Sequence, residues 1–202
     1  MNLFNQFDEI LSKLKAAGVT GALIAGGACR DHILGKPVKD IDVFVPDQDG
    51  IEMKLGTAFG HLHVKPIIAA EYAGAGGEVE HVYEISFGDD PFGDSHIPVQ
   101  IIVLAQGLDP MERARHHDFG LCQAWYQEAS ETASGFVQAT EAFHLDMTNR
   151  TFTLSHCEDE QQYARSMRRW TGKFKERFPG YRVYVPNEFV GLALGGSVGG
   201  FL

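Results

Sequence analysis

The first apolar positions of the chain are spaced for one face of a helix, and those that follow form short runs. The helical spacing covers residues 3–17, at Phe4, Phe7, Ile10, Leu11 and Leu14. The short runs predict strands over 21–25, 40–45, 64–69, 81–87 and 99–104. Cap signals and periodicity between and after them predict helices over 28–34, 50–58, 109–129 and 158–177.

The order of these elements predicts an α+β protein in two parts. A mixed β-sheet flanked by helices occupies residues 1–130, and a small, mainly helical C-terminal extension occupies residues 131–202. In the extension, a short extended segment after Phe143 is predicted at Thr151 to Leu154, and the chain after Pro179 is predicted to be a loop. Three further segments are predicted to be irregular: a glycine turn at 74–77, an acidic loop at 88–94 and an apolar, glycine-rich tail at 191–202.

The pattern from residue 22 to residue 45 carries candidate chemistry. A short apolar strand breaks at Gly26 and Gly27, and a helical segment follows. The next strand carries Asp40 and Asp42, which share one face because side chains alternate along a strand. Two carboxylates held close together favour a cation between them, and Mg²⁺ is bound through one or two carboxylates plus substrate phosphates. A glycine pair before a helix favours a phosphate. The pattern therefore indicates phosphoryl or nucleotidyl transfer.

Each part of this pattern has a structural alternative. The two aspartates alone could be surface acids at a strand edge, and the glycine pair alone could be a tight turn that needs positive φ. Their combination in one strand-helix-strand unit favours the interpretation as a metal and phosphate site. Arg30 is a candidate phosphate ligand because a guanidinium is always charged. Asp31 is better explained as the structural partner of an arginine or of a backbone N–H.

Composition excludes several classes of protein. The 202 residues carry a formal net charge of −10, which argues against an extended nucleic-acid-binding surface. No apolar run reaches the roughly 20 residues that a membrane span needs, and the N-terminus lacks a signal-peptide pattern. The three cysteines lie far apart and without metal-ligand spacing, at Cys29, Cys122 and Cys157. They are typical of reduced thiols, so a cytoplasmic protein is expected.

The glycine–aspartate pattern resembles the first motif of the polymerase-beta-like nucleotidyltransferase superfamily. It is similar in particular to the head and neck of class II CCA-adding enzymes and bacterial poly(A) polymerases, and to small phage-type nucleotidyltransferases. Every motif position matches, at Gly26, Gly27, Arg30, Asp31, Gly35, Asp40 and Asp42. The resemblance covers residues 20–178. It implies Mg²⁺ or Mn²⁺ held by the two aspartates, and an NTP whose β and γ phosphates lie at Gly26, Gly27 and Arg30.

The resemblance also assigns residues beyond the sheet. The family's Arg-Arg-Asp-Phe motif corresponds to His116-His117-Asp118-Phe119. Its neck arginines correspond to positions on the last predicted helix, where the basic stripe consists of Arg165, Arg168, Arg169, Lys173 and Lys175. It implies nucleotide binding by Arg115, Asp118 and Arg165. The residues alone leave structural alternatives open. Asp118 is equally well explained as a surface acid of a helix, and the basic stripe of the last helix as a solvated face.

Two departures from the family pattern weaken the expected activity. The family's third carboxylate falls at Gln100, and Glu84 on the neighbouring predicted strand is the alternative carboxylate. The element that reads the incoming base, Glu-Asp-x-x-Arg in the family, is Gln-Gln-Tyr-Ala-Arg over residues 161–165. The domains that hold tRNA in CCA-adding enzymes do not follow the neck region, so CCA addition itself is not expected.

The sequence therefore predicts a minimal, metal-dependent nucleotidyltransferase (EC 2.7.7.-). It moves an NMP from an NTP to an acceptor hydroxyl and releases pyrophosphate. The acceptor stays open between an RNA 3′ end, a protein and a small molecule. One alternative is a catalytically degenerate nucleotide-binding or regulatory protein on the same fold, and another is a subunit that forms a homo-oligomer or joins a partner through residues 191–202. The location expected for a phage-type member is the host cytoplasm.

Overall fold

The computed structural model describes residues 3–67, 78–86, 97–130 and 132–193. A π-helical turn joins two of its helices, at Trp170–Phe174, and 3-10 turns lie at His61–His63 and Gly120–Cys122. The helices are α1 (Leu3–Ala16), α2 (Gly27–Ile33), α3 (Ile51–Phe59), α4 (Pro110–Arg115), α5 (Glu141–Asn149), α6 (Glu160–Arg169), α7 (Lys175–Arg177) and α8 (Asn187–Ala193).

The strands of the described residues form three sheets. They are β1 (Leu23–Ile24), β2 (Ile41–Val45), β3 (Val64–Pro66), β4 (Val79–Ile85), β5 (Val99–Leu104), β6 (Ala124–Gln127), β7 (Phe136–Ala139), β8 (Thr151–Thr153) and β9 (Arg182–Tyr184). The main sheet has the order β1-β2-β5-β4-β3, in which only β2 and β5 run parallel. Two small sheets pair β6 with β7 and β8 with β9. The predicted α+β class with a mixed sheet is confirmed.

The chain divides into two compact units. The first contains Met1–Ala114 and Ala124–Gln138, and the second contains Arg115–Gln123 and Ala139–Leu202. The predicted glycine turn at 74–77 and the predicted acidic loop at 88–94 lie outside the described residues, as do residues 194–202 of the predicted tail.

The central strands β2 and β5 are buried on most of their length, which explains why they are near-continuous apolar runs in the sequence. On one face of the sheet Phe44, Val82 and Ile102 join an apolar cluster with Ala114 of α4 and Trp125 of β6. The helix α1 turns its predicted apolar stripe inward, burying Phe7, Ile10, Leu11 and Leu14. The amphipathic spacing in the sequence therefore correctly predicts which face of α1 is buried in the core of this unit.

The helix predicted over 109–129 is wrong beyond its first turns. It begins at Pro110 as predicted but ends at Arg115, and Ala124–Gln127 is a strand. The strand pairs with β7, and it is also held to the first strand region, because the Gly26 N–H donates to the Ala124 carbonyl at 2.7 Å and Trp125 bridges to Ala25. These long-range partners outweigh the local helical pattern.

The extended segment predicted at Thr151 to Leu154 is confirmed as β8. The helix α5 before it was not predicted, and its first turn is capped because the Thr140 side chain accepts the Phe143 N–H at 3.2 Å. The prediction of a loop after Pro179 is wrong. The loop predicted after Pro179 contains the strand β9, which pairs in parallel with β8, and the helix α8.

The second unit has an aromatic core centred on Phe152. The ring of Phe152 stacks on Phe174 with a centroid separation of 4.7 Å and lies 5.4 Å from Trp170. Phe119 and Phe178 meet the same ring edge-on. The predicted helix over 158–177 is confirmed as α6, the π-helical turn and α7, and its aromatic positions Trp170 and Phe174 are core.

Candidate functional site

The turn between β1 and α2 depends on Gly26. Its backbone has φ 79° and ψ −122°, a conformation that L side chains rarely adopt. Gly27 begins α2 with no positive φ, and a methyl group there would first meet Nη2 of Arg30 at 3.7 Å, an ordinary contact. The turn therefore requires glycine at position 26. The fold does not require glycine at position 27, where the absence of a side chain leaves the backbone open to contact.

Arg30 and Asp31 form a buried pair on α2. Each side chain is 2% exposed, and both Nε and Nη2 of Arg30 lie 2.9 Å from Oδ1 of Asp31. The arginine partner predicted for Asp31 is thus the adjacent residue. The guanidinium of Arg30 is engaged inside the first unit, and its predicted contact with a phosphate stays a prediction.

Asp42 lies in a polar row that crosses the main sheet. Its register partner on β5 is Gln100, whose partner on β4 is Glu84. Glu84 is paired in turn with Lys65 on β3. On the other side, the Ala25 N–H donates to the Asp42 carbonyl at 3.3 Å. Residues paired in this way point to the same face, so the row carries an acid, an amide, an acid and a lysine in order.

The polar row borders the apolar cluster on the same face. One row further along the strands, the positions of Asp42, Gln100 and Glu84 are taken by Phe44, Ile102 and Val82. Asp42 and Gln100 are half-buried, whereas Glu84 is exposed. Asp40 immediately precedes β2 and is also half-buried. The two aspartates therefore lie where apolar packing ends and the sheet face becomes polar.

The charge of Asp42 acts on a buried thiol. Burial raises the pKa of Cys29 well above its usual range, and the nearby Asp42 carboxylate raises it further. The thiol donates weakly to the Ile24 carbonyl at 3.7 Å. Cys29 is thus a neutral, packed thiol, and all three cysteines are buried and form no disulfide bond.

The donor chemistry at Asp40 and Asp42 fits a magnesium ion that arrives with a triphosphate. Among the described residues, no three His, Cys, Asp or Glu side chains are grouped closely enough to hold a metal by themselves. Mg²⁺ does not need such a cage, because it is commonly bound by one or two carboxylates together with substrate phosphates and water. The two aspartates fit that mode of binding.

Asp118 is held by residues of α6 in the second unit. Nη1 of Arg169 lies 2.6 Å from Oδ1 and 2.7 Å from Oδ2, and the Ser166 hydroxyl donates to Oδ2 at 2.8 Å. Its own next residue, Phe119, donates a backbone N–H to Oδ1 at 3.1 Å. The alternative of a surface acid on a helix is wrong, because Asp118 is buried and follows the end of α4.

The sequence predicts no partner for Asp118 on α6. Arg169 belongs to the predicted basic stripe, but nothing in the pattern selects it over its neighbours. Arg165 is half-buried on α6, and Arg115 is exposed at the end of α4. The nucleotide-binding roles predicted for Arg115, Asp118 and Arg165 stay predictions.

The buried carboxylate of Asp146 accepts several hydrogen bonds, a structural role that the sequence does not predict. Asp146 of α5 accepts the Leu121 N–H at 2.8 Å and the Thr151 hydroxyl at 2.6 Å, and it accepts both the N–H and the hydroxyl of Thr153. A carboxylate with this many donors joins α5, β8 and the 3-10 turn at Gly120–Cys122. The spacing of Thr151 and Thr153 on one strand face was the signal that could have suggested a shared acceptor.

Solved structures of nucleotidyltransferases resemble the chain over most of its length. An apo tRNA-processing enzyme aligns with a TM-score of 0.60 and 16% identity, over 91% of this chain and 44% of that structure. The Thermotoga maritima CCA-adding enzyme complexed with tRNA aligns with a TM-score of 0.58 and 15% identity, over 96% of this chain and 41% of that structure. A CCA-adding enzyme in complex with ATP gives 0.57 and 14%, over 89% and 38%. The chain has a nucleotidyltransferase fold.

The predicted resemblance to the head and neck of CCA-adding enzymes is confirmed at the level of the fold. No family model and no curated protein sequence matches the chain. The chain spans less than half the length of the solved structures described above. No helix in the described part of the chain is both long enough and apolar enough to cross a membrane.

Proposed function

We propose that the chain is a metal-dependent nucleotidyltransferase that transfers an NMP from an NTP to an acceptor hydroxyl. The observation that carries this proposal is the pair Asp40 and Asp42 at the polar edge of a sheet with the nucleotidyltransferase fold. The turn at Gly26 and Gly27 precedes α2 in the same unit. The nucleotide ligands named for some of the similar structures, CTP and ATP, support an NTP as the substrate class.

In this proposal the protein contributes placement. Asp40 and Asp42 would hold Mg²⁺, or Mn²⁺ in its place, and the backbone at Gly26 and Gly27 would lie against the triphosphate. The bound ion would neutralise charge on the phosphate oxygens. The acceptor oxygen loses its proton to solvent and forms a bond to the α-phosphorus, while the bond from that phosphorus to the bridging oxygen breaks. Pyrophosphate leaves, so no covalent intermediate with a side chain is needed.

The finer predictions belong to the same proposal. They are a head domain at 1–130 with an extension at 131–202, nucleotide binding by Arg115, Asp118 and Arg165, and a cytoplasmic location. The acceptor classes are an RNA 3′ end, a protein hydroxyl and a small molecule. Self-association or partner binding through residues 191–202 also stays a prediction.

A thermal-shift series tests the proposal. The protein is melted with each of the four NTPs, with Mg²⁺ and with EDTA. A ligand at 100 times its dissociation constant adds about 2.7 kcal/mol to the free energy of unfolding, which raises the melting temperature measurably. We expect one NTP to stabilise the wild type only with Mg²⁺, and Asp42→Asn to lose this effect. A protein that no NTP stabilises at millimolar concentration would contradict the proposal.

The position of Gln100 favours a second candidate function, a degenerate nucleotide-binding or regulatory protein. Gln100 is the register partner of Asp42, where a further carboxylate would serve metal chemistry. The two functions differ in turnover. A protein that binds the NTP with metal but releases no pyrophosphate, tested with RNA, protein and small-molecule acceptors, would support the second function.

A further inference from the structure

We propose that the site holds one divalent cation with its nucleotide, not a pair of cations, and that Gln100 sets this number. The inference rests on the proposed function, because it concerns the cation that Asp40 and Asp42 would hold. It goes beyond that function by fixing the stoichiometry of the site and the residue that determines it.

The register leaves Asp42 with no acidic neighbour on the adjacent strands. The backbone of Ala25 lies on one side of it, and the neutral amide of Gln100 lies on the other. Gln100 is half-buried in the same row, so its side chain fills the position at which a carboxylate would face Asp42 across β2 and β5. Among the residues that the structure describes, this part of the sheet therefore offers two negative charges, from Asp42 on β2 and from Asp40 immediately before it.

The next acid in the row is a poor substitute. Glu84 lies one strand beyond Gln100, and two strand spacings place its Cα roughly 10 Å from that of Asp42. Glu84 is exposed, and its register partner on the far side is Lys65, a positively charged residue. In agreement with this distance, the described residues contain no group of three potential metal ligands.

Electrostatics then limits the number of ions. In a two-metal site the cations lie about 3.5–4 Å apart, and their mutual repulsion must be offset by anionic ligands that contact both. Two carboxylates and a triphosphate supply the negative charge needed to bind the one cation that the nucleotide carries. A second cation would have to share ligands with the first while facing an uncharged amide at Gln100.

The experiment is equilibrium dialysis with Mn²⁺ and α,β-methylene-ATP, or the corresponding analogue of whichever NTP stabilises the protein. The measured quantity is the number of Mn²⁺ ions retained per retained nucleotide. We expect a ratio of 1 for the wild type and for Glu84→Gln, and a ratio of 2 for Gln100→Glu. Each variant is melted first, and Gln100→Ala serves as the matched control, with an expected ratio of 1.

Several outcomes would overturn the inference. A wild-type ratio of 2 would do so directly, whether or not Gln100→Glu folds. A ratio that stays at 1 in a folded Gln100→Glu would remove Gln100 as the determinant, and a ratio that falls in Glu84→Gln would make Glu84 a ligand. Failure of the proposed function looks different, since the wild type would then retain no nucleotide with Mn²⁺, or Asp42→Asn would retain as much of both as the wild type.

Discussion

Nη1 of Arg169 contacts both carboxylate oxygens of Asp118, at 2.6 and 2.7 Å, across 51 positions of the sequence. The same carboxylate accepts the Ser166 hydroxyl, so two residues of α6 hold it. The carboxylate is mostly buried, and the arginine side chain is about a quarter exposed. The contact therefore fixes α6 to the segment that follows α4.

We expect Arg169→Met to destabilise the second unit by about 2 kcal/mol, because a buried, charged acceptor then loses its charged donor. The matched control is Arg168→Met, since Arg168 is exposed on the same helix and its loss should cost less than about 0.5 kcal/mol. Urea unfolding followed by the fluorescence of Trp170, in a Trp125→Phe background, reports on this unit. Equal effects of the two substitutions would show that the contact with Asp118 contributes little.

Gly120 offers a test of the Asp146 centre. A methyl group at this position would lie 2.9 Å from Oδ2 of Asp146, 3.0 Å from Oγ of Ser155 and 3.1 Å from the Ala142 carbonyl. We expect Gly120→Ala to cost about 1–3 kcal/mol through overpacking. Gly172→Ala is the control, because nothing lies within 4 Å of its added methyl group and alanine favours helix by up to about 1 kcal/mol. Thermal unfolding should therefore move in opposite directions for the two variants.

The sequence predicts the first unit well where local pattern and burial agree. β2 and β5 are apolar runs in the sequence, as predicted, and Gln100, which the resemblance placed at the third-carboxylate position, is the register partner of Asp42. Local pattern fails at Trp125, whose strand depends on a bridge to Ala25 about a hundred residues earlier. It fails in the same way for the partner of Asp118, because no spacing rule distinguishes Arg169 from the other arginines of its helix.

Cys29 should make the protein less stable at alkaline pH. Burial, with a further contribution from Asp42, raises its pKa in the folded state above the usual value of 9.0. The unfolded chain then ionises first, so this stabilisation is complete below about pH 9 and decreases as the pH rises further. The slope for one such group approaches about 1.4 kcal/mol per pH unit.

We expect Cys29→Ala to lose less stability than the wild type between pH 8 and pH 10.5, as measured by urea unfolding at each pH. The cost of the smaller side chain is the same at every pH, so the comparison depends on the slopes alone. Some alkaline loss should persist, because burial also raises the pKa of Tyr126, and its hydrogen bond to Asp8 raises it further. Parallel curves for the two proteins would contradict the assignment to Cys29.

The glycine pair separates a requirement of the fold from a requirement of binding. Gly26→Ala forces a side chain into a backbone with φ 79°, and we expect a loss of about 1–3 kcal/mol in the free energy of unfolding. Gly27→Ala meets only Nη2 of Arg30, at 3.7 Å, and lies at the start of a helix, so the fold should keep its stability to within about 0.5 kcal/mol.

We expect nucleotide binding to depend on Gly27 although the stability of the fold does not. If the triphosphate lies against the backbone at Gly27, the added methyl group obstructs it, and the NTP-induced rise in melting temperature should shrink in Gly27→Ala although the unliganded protein melts like the wild type. Gly172→Ala, which adds a methyl group with no neighbour within 4 Å, should retain the full rise. A full rise in Gly27→Ala would remove this backbone from the phosphate site while leaving the aspartates untouched, because their contribution is measured separately with Asp42→Asn.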